Sequence, residues 1–227
     1  MNATSRVLLA TLKYRRALVG EISLATQLPE DVVVKTIEEY SDVVRLSGEE
    51  VVVLNPVELA LRLIARGVEP TRVSEYLDWR DFEELSSKIL YEFGYDVVHP
   101  LALSSPVRFE IDVFGVEPST GFSIAIDCKH WSTSSPSRLV KAADEHYQRL
   151  QKMLRFYGYV KTRYRVVGKA RLVVPVITTL LTPSIRAHNN VLFLAIKELP
   201  RFLAEKHAVL DYYEIKPLNI PSDRLKS

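Results

Sequence analysis

The chain is predicted to be an α/β protein in two parts. Residues 1–70 read as a small helical module with a two-stranded hairpin, and residues 71–227 as a mixed sheet packed between helices. Three observations predict this. The stretch Val107 to His130 alternates apolar and polar residues twice around Pro118, Ser119, Thr120 and Gly121, the pattern of two strands and a turn. Apolar residues at helical spacing come before it (Phe82, Leu85, Ile89, Phe93) and after it (Leu139, Ala143, His146, Leu150, Met153, Leu154). At the start of the chain, three short helical patterns lead into a single hairpin signal.

The elements follow in order. Ser5–Tyr14 and Val19–Thr26 read as helices, and Pro29-Glu30-Asp31 opens a third, to about Tyr40, with Val33, Val34, Ile37 and Tyr40 inward. Proline at the first helical position and acids in the first turn are start signals. Val43–Leu46 and Val51–Leu54 form a hairpin around Ser47-Gly48-Glu49-Glu50, and Asn55-Pro56 starts a helix to about Gly67. Three helices followed by a two-stranded wing resemble a winged helix-turn-helix. Such a module suggests DNA binding, but its third helix carries Glu30, Asp31, Glu38 and Glu39 against Lys35, and its wing Glu49 and Glu50. An acidic reading head is repelled by phosphate. A protein partner or a dimer contact is therefore expected here, with Lys13, Arg15 and Arg16 left for a lateral DNA contact.

Val68–Ser74 reads as the connection between the parts. Asp78 and Asp81 cap a helix to Phe93, ended by Gly94. A short strand at Tyr95–His99, strands over Val107–Gly115 and Phe122–Lys129, and a helix from Ser135-Pro136 to about Phe156 come next. Arg171–Leu180 reads as a strand whose Pro175 predicts an edge or a bulge. Val191–Ala195 is a last strand and Glu198–Lys206 a closing helix.

Composition narrows the class. Of 227 residues, 47% are apolar and 26% charged, enough to bury a core. No apolar run approaches the ~20 residues a membrane helix needs, and the first residues lack the order of a secretion signal. The single cysteine, Cys128, excludes an internal disulfide framework and reads as a small buried hydrophobe. A cytoplasmic protein is expected. The net charge of +2 is unevenly spread: residues 1–70 carry 8 Lys/Arg against 10 Asp/Glu, and the rest 22 against 18. Ser137–Arg171 alone has 10 basic residues against Asp144 and Glu145. Arg138, Lys141, Arg149 and Lys152, off the apolar stripe of their helix, form either a phosphate-binding footprint or a solvated basic face.

Asp112 and Asp127 lie 15 residues apart on faces that one hairpin can bring together, with Lys129 one pleat beyond Asp127. Together with Phe82-Glu83 opening the preceding helix, Glu110-Ile111-Asp112-Val113 and Ile126-Asp127-Cys128-Lys129 resemble the restriction-endonuclease-like superfamily, whose motif is written PD-(D/E)-x-K. Mrr-type restriction endonucleases and archaeal-type Holliday junction resolvases are the members this pattern is most similar to. The chain departs from many Mrr-type proteins in having Asp127 where they have Gln, and in reaching Asp112 without glycines.

The resemblance implies a restriction-endonuclease-like α/β/α core and hydrolysis of DNA phosphodiesters with Mg²⁺ or Mn²⁺. Hard cations take carboxylate oxygens with waters and substrate phosphate. On this reading Asp112, Asp127, Glu83 and the Cys128 carbonyl hold the metal. Lys129 orients or deprotonates the water and meets developing negative charge. His130 contacts the phosphate or is a bystander, and Trp131 stacks on a base or packs. Glu84 is the alternative to Glu83, and Glu110 is an auxiliary ligand or a partner of Arg108. A homodimer is implied if both strands are cut. Three other readings stay open: Asp112, Asp127 and Lys129 as a structural ion cluster, the whole protein as a non-catalytic DNA-binding or regulatory protein on the same scaffold, and an RNA-processing nuclease.

Overall fold

The computed structural model describes residues 1–129 and 135–221. Its chain divides into two compact units, Met1–Asp81 and Phe82–Ser227. The division read from sequence falls after residue 70; by compactness residues 71–81 group with the first unit. Val68–Ser74 is not a bare connection: it holds a short helix begun by Pro70, with Val68 and Val73 buried. Arg15 then ties Tyr76 and Asp81 to the first unit, donating to the Tyr76 carbonyl and to both Asp81 carboxylate oxygens (3.2 and 2.6 Å).

The first unit runs α1 (Ala3–Tyr14), β1 (Arg16–Leu18), α2 (Val19–Thr26), α3 (Glu30–Glu38), β2 (Val44–Ser47), β3 (Glu50–Val53), α4 (Pro56–Ala65) and α5 (Pro70–Ser74). Two of its helices, α1 and α4, begin at a side-chain cap. The Asn2 side chain accepts from the Ser5 amide at 2.9 Å, and Asn55 from Glu58 at 3.1 Å, each satisfying an amide with no partner in its helix. Val7, Leu8, Leu12, Ile22, Val33, Ile37, Leu59 and Leu63 are fully buried. Val34 and Tyr40 are only half-buried, so the stripe of α3 is narrower than the spacing implied. The hairpin is joined by β1 into a three-stranded antiparallel sheet, β1-β3-β2. That third strand is too short to show alternation and forms because β3 offers it an open edge.

α6 (Trp79–Glu92) begins in the last residues of the first unit and continues into the second, which follows with β4 (Asp96–Val98), β5 (Leu101–Leu103), β6 (Phe109–Ile111), β7 (Val113–Val116), β8 (Phe122–Lys129), α7 (Pro136–Arg155), α8 (Tyr157–Arg163), β9 (Leu172–Thr179), β10 (Ala187–His188), β11 (Val191–Ala195), α9 (Leu199–Ala204), α10 (Lys206–Tyr212) and β12 (Leu218–Asn219). Its sheet is mixed, in the order β10-β11-β9-β8-β7-β4 with β12 added to β9. The steps β8–β9 and β9–β11 are parallel and the others antiparallel. Among the described residues no helix is long and apolar enough to cross a membrane.

Three local features position the site. Asp78 and Asp81 bond each other's amides (3.1 and 2.8 Å), a reciprocal cap that sets the start of α6. Gly94, at φ +80°, ends it. Gly115 of β7 lets α6 lie close, since a Cβ there would meet Leu90 Cδ1 at 2.9 Å. The strand expected over Val107–Gly115 is interrupted at Asp112: β6 pairs with β5 in a separate ribbon, while β7 joins the main sheet. Pro175 lies in an interior strand, not at an edge. On the flank away from β8, β12 pairs with residues 172–173 and β11 with 176–179, so the missing amide falls where that flank has no partner.

Candidate functional site

β8 is the axis of the site. From Phe122 to Cys128 every residue is buried, because β7 and β9 flank it and helices cover both faces. Alternation sends Ala125, Asp127 and Lys129 to one face and Cys128 to the other. The β7–β8 register pairs Val113 with Ile126, so Asp112, one residue earlier, comes opposite Asp127. Asp112 is thus the residue at which the strand leaves one sheet for another.

Asp127 is 2% exposed and stands between two cations. Arg149 Nη2 donates to its Oδ1 at 2.5 Å. Lys129 Nζ lies 2.8 Å from its Oδ2, close enough for an ion pair but outside hydrogen-bonding geometry, so that this buried oxygen has no hydrogen bond. Arg149 comes from α7, one turn after the fully buried His146, whose Nε2 donates to the Ala125 carbonyl at 3.0 Å. Burial, first of all, holds the His146 imidazole below its ordinary pKa and hence neutral.

Asp112 is only half-buried, and its Oδ2 accepts the Cys128 amide at 2.7 Å. Burial, and then the charge of Asp127, raises its pKa to about 6; the Cys128 amide, Lys129 and Arg149 oppose the rise. At Asp112 it is the amide of Cys128, not its carbonyl, that makes the contact. The Cys128 thiol is buried 3.6 Å from Ser86 Oγ and Thr178 Oγ1. Burial and the Asp112 charge push its pKa far above the ordinary thiol value, so it is no nucleophile.

α6 covers the Cys128 face of β8 through Ser86. Glu83 lies one turn earlier on the same side of that helix, 4% exposed, with Oε2 3.7 Å from His99 Nδ1. Glu84 is exposed, which leaves Glu83 as the buried acid of the pair. Glu110 is exposed and forms no ion pair with Arg108. Arg138, Lys141 and Lys152 are exposed on α7, with Lys141 3.9 Å from Glu145. Arg149, grouped with them by the sequence, instead turns to Asp127. Its one warning sign was its place between His146 and Leu150 at the border of the buried stripe. His130 and Trp131 lie outside the described residues.

The donor chemistry suits a hard divalent cation. The facing groups are carboxylates, one buried oxygen has no hydrogen bond, and burial followed by the Asp127 charge lifts the Asp112 pKa. Among the described residues, no group of three or more His, Cys, Asp and Glu is gathered as ligands. A carboxylate pair would need waters and substrate oxygens to complete a shell.

No family model matches this chain, and no curated protein matches it. Among solved structures, the restriction endonuclease FokI is similar at a TM-score of 0.43 and 12% identity, over 91% of this chain and 44% of that one. Protein VC1899 from Vibrio cholerae is similar at a TM-score of 0.35 and 14% identity, over 94% of this chain and 53% of that one. The chain thus spans about half the length of each. The fold defined by its own strand order is a mixed α/β fold, and its site pairs a buried and a half-buried carboxylate with two cations.

Proposed function

We propose that the second unit is a metal-dependent DNA endonuclease domain that hydrolyses phosphodiester bonds. One observation carries the reading: the β7–β8 pairing sets Asp112 opposite Asp127, with the Lys129 ammonium 2.8 Å from Asp127 on the same face. A Mg²⁺ or Mn²⁺ ion held by Asp112 and Asp127, with the Cys128 carbonyl as a further oxygen donor, would supply Lewis acidity and a bound water of lowered pKa; Glu83, on the α6 side of β8 beside His99, is not gathered with the two aspartates. Lys129 orients that water and meets negative charge as it develops on the phosphoryl oxygens. Arg149 neutralises Asp127 and keeps its carboxylate in one orientation between substrates. Burial and then the Asp127 charge raise the Asp112 pKa to about 6, and a cation held there would favour its carboxylate form. Arg138, Lys141 and Lys152 extend a cationic surface along α7 for the DNA backbone. The first unit reads as a winged helix that contacts a protein partner through its acidic α3, and two copies act together where both strands are cut.

A second reading draws support from the pairing of Asp127 with Arg149 and Lys129 and from the absence of a three-ligand group among the described residues. On that reading the protein binds DNA without cutting it. One experiment separates the two: linear, single-stranded, flapped and four-way DNA are incubated with Mg²⁺ or Mn²⁺, beside Lys129→Ala. Cleavage by the wild type and its loss in the variant support the endonuclease. Binding of DNA with no cleavage under either metal supports the scaffold.

A further inference from the structure

The first unit carries 10 Lys/Arg against 13 Asp/Glu, yet its charges are sorted in space. Two of the three basic residues singled out for a lateral DNA contact are already engaged: Arg15 with Asp81 at 2.6 Å and Arg16 with Glu50 at 3.5 Å. Lys13 is not. It joins Arg6 and Arg72 around a cleft of about 250 Å³ whose lining contains no carboxylate, with Tyr14 and Tyr76 at its sides. None of these three cations forms an ion pair among the described residues.

Arg6 is held in place, since it donates to the carbonyl of Thr26, the last residue of α2. That contact explains one of its donors; a guanidinium has five. Lys13, two turns further along α1 and so about 10 Å away along the axis, is exposed and lies 5.4 Å from the centre of the Tyr14 ring. Arg72 is exposed on α5. Like charges gathered without counter-charge repel each other, and an anion relieves them. Their spread suits successive phosphates of a polymer better than one small anion.

We propose that this cleft between α1, the end of α2 and α5 takes the phosphate backbone of duplex DNA, on a surface separate from α3. The cation cluster is independent of the endonuclease reading; the choice of DNA as its ligand rests on it. The test is anisotropy of a labelled duplex with the full chain in EDTA, so that cleavage plays no part. Lys13→Gln/Arg72→Gln, both at exposed positions, is expected to bind about tenfold more weakly at ~0.1 M salt, with a log–log salt slope shallower by about 2. Lys35→Gln on α3 is the control and is expected to bind like the wild type. Circular dichroism verifies that each variant is folded.

Unchanged affinity and slope in the folded double variant overturn the proposal while the endonuclease reading stands. A loss that follows Lys35 and not the pair overturns it too. If inorganic phosphate or AMP shifts the Lys13 and Arg72 resonances and the duplex does not, the cleft is a small-anion site and the proposal fails. If the wild type binds no duplex in EDTA, the proposal fails, and cleavage with Mg²⁺ or Mn²⁺ decides the endonuclease reading separately.

Discussion

Asp112 and Asp127 face each other across one strand pair, yet the protein builds them in opposite ways. Asp127 belongs to an unbroken strand buried on both faces, and two cations accompany it. Asp112 stands at the break between β6 and β7, half-buried, and accepts the Cys128 amide. A carboxylate fully withdrawn from water must be neutralised where it sits. One at a strand break retains some water and can instead adjust its protonation. The first is therefore held in place by its cations, and the second is tuned.

The contrast can be broken from either side. Asp127→Asn is expected to remove cleavage by ~10³-fold or more, since it takes the charge from the fixed member; a plasmid-nicking assay with Mn²⁺ measures this, and retained nicking would refute the assignment. Lys129→Ala is expected to lower the cleavage rate by about 10²- to 10³-fold while Mn²⁺ affinity by calorimetry moves less than about tenfold. A parallel collapse of both would make Lys129 a mere support for the metal site.

Stability should separate the two acids further. Arg149→Ala leaves Asp127 with Lys129 alone and is expected to cost about 2 kcal/mol in urea unfolding, below the usual cost of breaking a buried pair because Lys129 remains and Arg149 is partly exposed. No change would mean that the pair contributes nothing to the fold.

The smallest effect is expected at the tuned acid, and it reverses sign. The folded Asp112 value of about 6 lies above the ordinary 3.8, so the native state holds that proton more tightly than the unfolded chain does. This stabilisation is complete below pH 3.8 and is lost as pH rises through 6. Asp112→Asn, which keeps an oxygen for the Cys128 amide, should therefore raise the melting temperature of the metal-free protein at pH 8 by about 5 °C. The gain should vanish at pH 4; an equal gain at both pH values would show that charge is not its cause.

Much of the fold was legible in the residues because it depends on local rules. β8 runs over Phe122–Lys129 and β11 over Val191–Ala195, as their apolar patterns indicate, and α4, α6 and α7 start beside their expected caps and prolines, whereas α1 starts two residues before the expected Ser5, at Ala3. Asp112, Asp127 and Lys129 were likewise legible as neighbours, because strand alternation and a short turn leave few ways to pair two adjacent strands.

Other features depend on partners distant in sequence. That the first strand breaks at Asp112 follows from β5 capturing β6, and β5 carries only three residues of signal. Pro175 is tolerated inside the sheet because two different strands share one flank of β9. Arg149 leaves the solvated face of α7 for Asp127, and Arg15 and Arg16 are drawn off by Asp81 and Glu50, while Arg72 reaches the Lys13 cleft across most of the first unit. Sequence supplies the charges and the periods of helix and strand. Only the packed chain decides which charges meet, because an ion pair depends on a distance of a few ångströms, and that distance belongs to the tertiary fold.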